Sequence, residues 1–147
     1  MNEKEKQLAR TLEQFIDGLG LKHFKGKELT WYWDRTRNGI KNTVPPSSLW
    51  PNIVPTLRAL DEIRKRAGVQ IMISSSYRSP SYNRAIAGAG RSYHMEFKAI
   101  DFYSSHMSAT QLWAIARRVR QDGIFKGGIG KYPGFVHIDC RGTIADW

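Results

Sequence analysis

The sequence has one cysteine, few acidic residues and no long hydrophobic run. The single cysteine, Cys140, excludes an internal disulfide framework. No apolar stretch is long enough to span a bilayer, and the charged residues 1–6 are not followed by the apolar core of a secretory signal. The sequence therefore predicts a chain without a membrane span or signal peptide that is cytoplasmic at synthesis.

Acidic residues are outnumbered, with 13 Asp and Glu against 23 Lys and Arg, which gives a net charge of +10. A surface of this sign favours polyanions. No nucleic-acid-binding motif is present, and the glycines at 127–130 are not followed by the Gly-Lys-Ser/Thr of a phosphate loop. We therefore expect attraction to anionic polymers, such as those of a bacterial envelope, rather than a specific nucleic-acid ligand.

The sequence also lacks the His-x-x-x-His and paired-Cys signatures of common metal sites. It does contain His94 seven residues before Asp101, and His137 two residues before Asp139. Two imidazoles and a carboxylate can hold a catalytic zinc and leave a fourth position open. The spacing alone is also compatible with a buried histidine and a turn-forming aspartate, so it leaves the metal site as one of two interpretations.

Periodicity predicts one α+β domain over residues 1–147. Helices are expected at 3–18, 51–67 and from 108 to just before Gly123, with a shorter one at 81–87. Strands are expected at 69–73, 99–103 and 135–139. Residues 23–49 are predicted to be irregular. We expect about three helices packed on a small, mainly antiparallel sheet, with one face of the sheet carrying the metal site.

Three motifs occur in a fixed order. They are residues 74–83 (SSSYRSPSYN), Ser92-x-His94 through Ala99-x-Asp101, and residues 135–139 (FVHID) followed by Arg141-Gly142. This combination resembles the D-alanyl-D-alanine carboxypeptidase and endopeptidase family of zinc peptidases. Relatives in that family include the vancomycin-resistance dipeptidases, phage endolysin peptidases and the hedgehog signalling domain. The resemblance covers about residues 20–147, leaving the N-terminal helix outside it.

The resemblance implies one Zn²⁺ held by His94, Asp101 and His137. It also implies hydrolysis of peptide bonds containing D-amino acids in bacterial peptidoglycan, by a carboxypeptidase or an endopeptidase. Arg78 matches an arginine close to the substrate, and Tyr77 and Phe97 are expected to contact substrate beside it. An enzyme of this kind without its own export signal would fit a phage or prophage origin, with action on the cell wall after release.

Two departures from the family pattern affect the expected mechanism. Phe97 stands where the family usually has glycine, which suggests a different local loop and a wall of the substrate cleft. Gly134 stands where several relatives carry a catalytic acid, so Asp139 becomes the expected general base and Glu96 the alternative. Asp139 could instead orient a metal-bound imidazole or, less favourably, be a ligand itself. Two alternative functions remain. The missing acid at position 134 is compatible with a catalytically inactive zinc-containing binding module. The positive charge is compatible with a basic phage structural protein associated with nucleic acid or the cell envelope.

Overall fold

The computed structural model describes the backbone of residues 1–147 and every side chain except that of Tyr32. The α-helices are α1 Glu3–Asp17, α2 Lys27–Thr30, α3 Val54–Ala67, α4 Pro80–Ala85 and α5 Ala109–Gln121. The strands are β1 Thr36–Arg37, β2 Ile40–Lys41, β3 Met72–Ser75, β4 Ala99–Tyr103, β5 Gly128–Lys131, β6 Val136–Asp139 and β7 Ala145–Asp146. Single 3₁₀ segments cover Trp31–Asp34 and Ser47–Ile53.

Side-chain caps set the ends of the long helices. Asn2 accepts a hydrogen bond from the Glu5 backbone at the start of α1, and Ser108 and Gln111 form a reciprocal capping box at the start of α5. Gly68 ends α3 with a φ of 68°, a left-handed conformation that glycine adopts without steric cost. In the described chain, no helix is both long and apolar enough to cross a membrane.

The main sheet has the strand order β3-β4-β6-β5-β7, with antiparallel pairing except between β5 and β7. The alternation of side chains along β4 and β6 places apolar residues on one face of the sheet and polar residues on the other. Ile100, Phe102, Val136 and Ile138 are fully buried in the hydrophobic core that also contains residues of α3 and α5. Asp101, His137 and Asp139 point to the opposite face, because successive side chains in a strand alternate.

A second, two-stranded sheet is formed by β1 and β2. Its turn is Asn38-Gly39, with φ values of 49° and 75°, which is the conformation of a type I′ hairpin. The Asn38 side-chain amide donates to the carbonyl of Ala85, 2.8 Å away, and so ties the hairpin to the end of α4. The hairpin therefore lies beside the segment that follows β3.

The predicted α+β class and mainly antiparallel sheet are confirmed, and three of the helices are long. The details differ in two places. The strand expected at 69–73 is β3 Met72–Ser75, because Ser75 pairs with Asp101 and extends the ladder towards the site. The segment expected to be irregular contains α2 and the hairpin. The Asn38-Gly39 pair in the sequence could have predicted that hairpin.

Candidate metal centre

Strand pairing brings the aspartate and the second histidine together. Asp101 on β4 lies directly opposite His137 on β6, so their side chains emerge side by side on one face. His94 comes from the loop before β4. The backbone of that loop is held by hydrogen bonds from the His94 amide to Ser92 Oγ and from the Arg78 amide to the His94 carbonyl. All three side chains are buried.

The three side chains offer ligand atoms within 4.8 Å of one another. Asp101 Oδ1 lies 3.2 Å from His94 Nε2 and 2.9 Å from His137 Nδ1. Within the described residues no other group of histidines, cysteines and acids meets the same criterion. The structure thus brings together the three residues that the sequence predicts as ligands.

The far nitrogen of each imidazole has its own acceptor. His94 Nδ1 lies 2.6 Å from the Ser76 carbonyl oxygen, and His137 Nε2 lies 2.7 Å from Asp139 Oδ2. A carbonyl and a carboxylate only accept, so in the neutral tautomers the hydrogens sit on these far nitrogens. The remaining lone pairs, on His94 Nε2 and His137 Nδ1, both point towards Asp101 Oδ1.

With both imidazoles neutral, three lone-pair atoms converge on one point, and this arrangement favours a cation between them. Two imidazole nitrogens and one carboxylate oxygen are the donor set that zinc takes in catalytic sites, with the imidazoles oriented from behind by acceptors. The residues therefore fit the zinc that the sequence predicts.

The protein environment favours the ionised form of Asp101. Burial alone would raise its pKa, but the neighbouring His94 and the hydrogen bond with His137 outweigh burial and hold the pKa well below its usual range. Burial lowers the pKa of His94, which keeps that imidazole neutral. Burial also disfavours a charge on His137, but hydrogen bonds with Asp101 and Asp139 raise its pKa overall.

Asp139 lies behind His137 and has no exposed surface. Its Oδ2 also accepts from Arg141 Nη2 at 2.8 Å, while its Oδ1 accepts from the Gly128 amide at 3.0 Å and from Arg141 Nε at 2.9 Å. These bonds, led by those from Arg141, outweigh burial and lower the pKa of Asp139. Asp139 does not line the cavity in front of the site. The geometry therefore favours the orienting role over the roles of general base and ligand.

Glycines in β5 make room for this arrangement. A Cβ on Gly128 would lie 2.8 Å from both Asp139 Oδ2 and Arg141 Nη2, and one on Gly130 would lie 2.5 Å from Trp147 Nε1. Both distances are too short for non-bonded atoms, so the backbone of β5 can approach the site only without side chains there. The glycine-rich stretch at 127–130 is thus part of the site's support.

A cavity of about 500 Å³ opens in front of the three ligands. Arg78 lines it, with Nη2 3.4 Å from Asp101 Oδ2 and Nη1 3.5 Å from Asn83 Oδ1. The Arg78 Nε is buried and has no hydrogen-bond partner. These long contacts leave the guanidinium able to form a shorter contact with a ligand in the cavity.

Two predicted substrate contacts are not found in the cavity. Phe97 is completely buried and packs edge-on against Trp33 and Tyr77, and Tyr77 is only 4% exposed. Neither side chain lines the cavity beside the ligands. Phe97 has a φ of 55°, the left-handed conformation that glycine prefers. The loop therefore has a backbone suited to glycine, and the Phe97 ring fills the core instead of forming the cavity wall.

Aromatic residues that the sequence did not single out form much of the wall. The Arg141 guanidinium lies between the rings of Tyr93 and Trp147, 4.4 and 5.0 Å from their centroids. Trp147 also packs against His137 with a centroid separation of 5.1 Å and donates from Nε1 to the Tyr132 hydroxyl. No local pattern marked Trp147, since strand β7 alone brings it to the site.

Neither of the acids considered as a base faces the cavity. Glu96 is exposed and pairs with Lys98 at 3.3 Å, outside the residues that line the cavity. Among the described side chains lining the cavity, Asp101 is the only carboxylate.

Burial raises the pKa of the Cys140 thiol, which disfavours its nucleophilic form.

Comparison with known proteins agrees with this geometry. The sequence model of one family, described as Peptidase M15, matches residues 22–139, which include every proposed ligand. No curated protein matches the chain. Zinc dependence is a property of M15 peptidases. The match covers most of the chain, and the chain therefore belongs to the Peptidase M15 family.

Proposed function

We propose that this protein is a zinc-dependent peptidase that cleaves D-amino-acid-containing peptide bonds of bacterial peptidoglycan. The observation that carries the proposal is the convergence of His94 Nε2, Asp101 Oδ1 and His137 Nδ1 at the base of a cavity. Membership of a peptidase family supports the reaction class. The choice of peptidoglycan, and of a phage or prophage enzyme that acts on the wall after release, rests on the three sequence motifs.

Each side chain in the site has a separate task in this proposal. His94, Asp101 and His137 hold one zinc ion, which supplies Lewis-acid polarisation of a carbonyl and a lowered pKa for water. Ser76 and Asp139 fix the two imidazole tautomers.

Arg78 contributes a fixed positive charge close to Asp101. Such a charge stabilises the oxyanion that develops when a peptide carbonyl is attacked. Arg78 therefore acts on the substrate rather than on the metal.

The charge of the cavity supports an anionic peptide as substrate. Arg78, Arg91 and Arg141 line the cavity, whereas Asp101 is the only lining carboxylate among the described residues. Arg91 is exposed and has no described ion-pair partner. Peptidoglycan peptides carry free carboxylates, and a cationic cavity attracts them by electrostatic complementarity. The same charge would favour association with anionic envelope polymers.

The test is mass spectrometry of purified peptidoglycan after digestion with the zinc-loaded protein. We expect peptide fragments that a chelator abolishes and that His94→Ala does not produce. His106→Ala is the matched control, since His106 is exposed and lies outside the ligand group. Zinc-loaded protein that gives no fragments from peptidoglycan would contradict the proposed substrate.

One observation favours a second candidate function, a zinc-containing binding module without catalysis. Apart from the proposed ligand Asp101, no side-chain carboxylate lines the cavity among the described residues, so a separate proton acceptor for the attacking water is missing there. Zinc at one ion per chain, together with peptide binding and no fragments in the digest, would support this alternative.

A further inference from the structure

A second cavity, of about 610 Å³, also borders Asp101. Asp101 and Phe135 line both this cavity and the one described above. The second cavity is bounded by the β1–β2 hairpin and is called the hairpin cavity below. Because a residue of the proposed metal site borders both cavities, the two cavities are neighbours at that site.

The hairpin holds two arginines at the hairpin cavity. Arg35 and Arg37 are two residues apart and both line it, while the Asn38 contact with Ala85 fixes the turn. Arg35 also stacks on the Trp31 ring at 4.6 Å. Arg37 is exposed and has no ion-pair partner among the described residues. This wall is therefore positively charged and able to pair with an anionic group.

A buried hydroxyl beside the hairpin cavity lacks a partner. Ser75 is 5% exposed and its Oγ makes no hydrogen bond. Ser75 pairs with Asp101 across the sheet, so the two side chains emerge on the same face, and both line the hairpin cavity. Buried hydroxyls in folded proteins almost always have partners, so an unsatisfied one in a residue that lines a cavity indicates a place where a polar ligand atom would be stabilised.

We infer that the hairpin cavity is a second substrate subsite and that the enzyme is an endopeptidase. A peptide occupies both cavities, with the scissile bond at the ligand cluster and an acidic group beside Arg37. This inference rests on the proposed peptidase function. A carboxypeptidase needs a cleft that closes one residue beyond the cut bond, whereas here a second cavity borders the site at Asp101 and Phe135.

The reaction is a hydrolysis within the chain. The C–N bond breaks, the hydroxyl of one water joins the carbonyl carbon, and the second proton of that water goes to the leaving amine. Cleavage of a longer chain therefore gives products with more than one residue on the hairpin side of the cut bond. A product consisting only of single terminal amino acids would overturn the assignment as an endopeptidase.

The first experiment compares two synthetic peptides built around the bond identified in the peptidoglycan digest. The long peptide continues for at least three residues on both sides, and the short one ends one residue after the bond on the hairpin side. We expect Arg37→Gln to lower kcat/KM for the long peptide about tenfold, the usual effect of losing one charged hydrogen bond, and to leave the short peptide nearly unchanged. Equal effects on both peptides, or no effect on the long one, would overturn the subsite.

Arg58→Gln is the matched control. Arg58 is exposed on α3, lines neither cavity and carries the same charge. We expect it to leave kcat/KM unchanged for both peptides. A loss equal to that of Arg37→Gln would show that net charge, rather than the hairpin, is responsible.

The second experiment measures binding and does not depend on turnover. A cross-linked muropeptide dimer is added to the ¹⁵N-labelled, zinc-loaded protein, and the amide resonances of residues 36–40 are followed. We expect these resonances to shift with the dimer and not with a single free amino acid. Shifts without cleavage would support the subsite and contradict the proposed function. Unshifted hairpin resonances at saturating dimer would overturn the subsite, whatever the activity.

Discussion

Asp139 Oδ2 lies 2.7 Å from His137 Nε2, on the side of the imidazole opposite Asp101. The imidazole of His137 is therefore held between two carboxylates, one of which belongs to the proposed metal site and the other to its support. Arg141 neutralises the supporting carboxylate through two nitrogens. This arrangement keeps Nδ1 directed at the metal position and allows each role to be tested separately.

We expect native protein to contain close to one zinc per chain by elemental analysis. His94→Ala and His137→Ala each remove one of three ligands and should reduce zinc to background, because two protein ligands hold the ion far less tightly. His106→Ala should keep the full complement. Retention of zinc in both ligand variants would show that the ion binds elsewhere.

We expect Asp139→Asn to weaken zinc binding about 10- to 100-fold, which is typical for loss of a partner behind a ligating histidine. Asparagine keeps the shape and one acceptor oxygen, but it loses the charge that faces Arg141. Peptide cleavage should return when zinc is saturating. If the fully zinc-loaded variant is inactive although its thermal unfolding is unchanged, Asp139 is the proton acceptor after all.

We expect Arg78→Gln to reduce kcat about 10²- to 10³-fold while zinc content and thermal stability stay close to those of the native protein. The guanidinium is 3.4 Å from Asp101 and has one nitrogen without a partner, so it contributes little to holding the ligands. Steady-state kinetics beside metal analysis distinguishes the roles. Unchanged turnover would make Arg78 a structural residue.

We expect Phe97→Gly to unfold at a higher urea concentration than Phe97→Ala. This is the reverse of the usual order, in which the alanine variant is the more stable one. Both variants lose the buried ring, at a cost of about 3–5 kcal/mol. At a φ of 55° alanine keeps a left-handed strain of about 1–2 kcal/mol that glycine avoids. Urea unfolding of the two variants measures the difference directly. A more stable alanine variant would show that the backbone relaxes once the ring is removed.

Much of this protein could be predicted from local sequence. Alternation placed His137 and Asp139 on one strand face, and helical periodicity located α1, α3 and α5, because these patterns depend only on which residues must leave water. The ordered motifs identified the three proposed ligands. Each of these inferences depends only on residues close in sequence or on a recognised motif, and none of them depends on a tertiary contact.

Three-dimensional packing decided the rest. The role favoured for Asp139 depends on Arg141 and Gly128 closing around it, and Phe97 enters the core because Trp33 and Tyr77 leave space there. The hairpin cavity exists because Asn38 anchors the hairpin to α4 and Ser75 pairs with Asp101. Sequence spacing carries no information about such contacts between distant segments. The sequence by itself therefore determined which residues are candidates for the chemistry, and the tertiary structure decided which of them face the cavity.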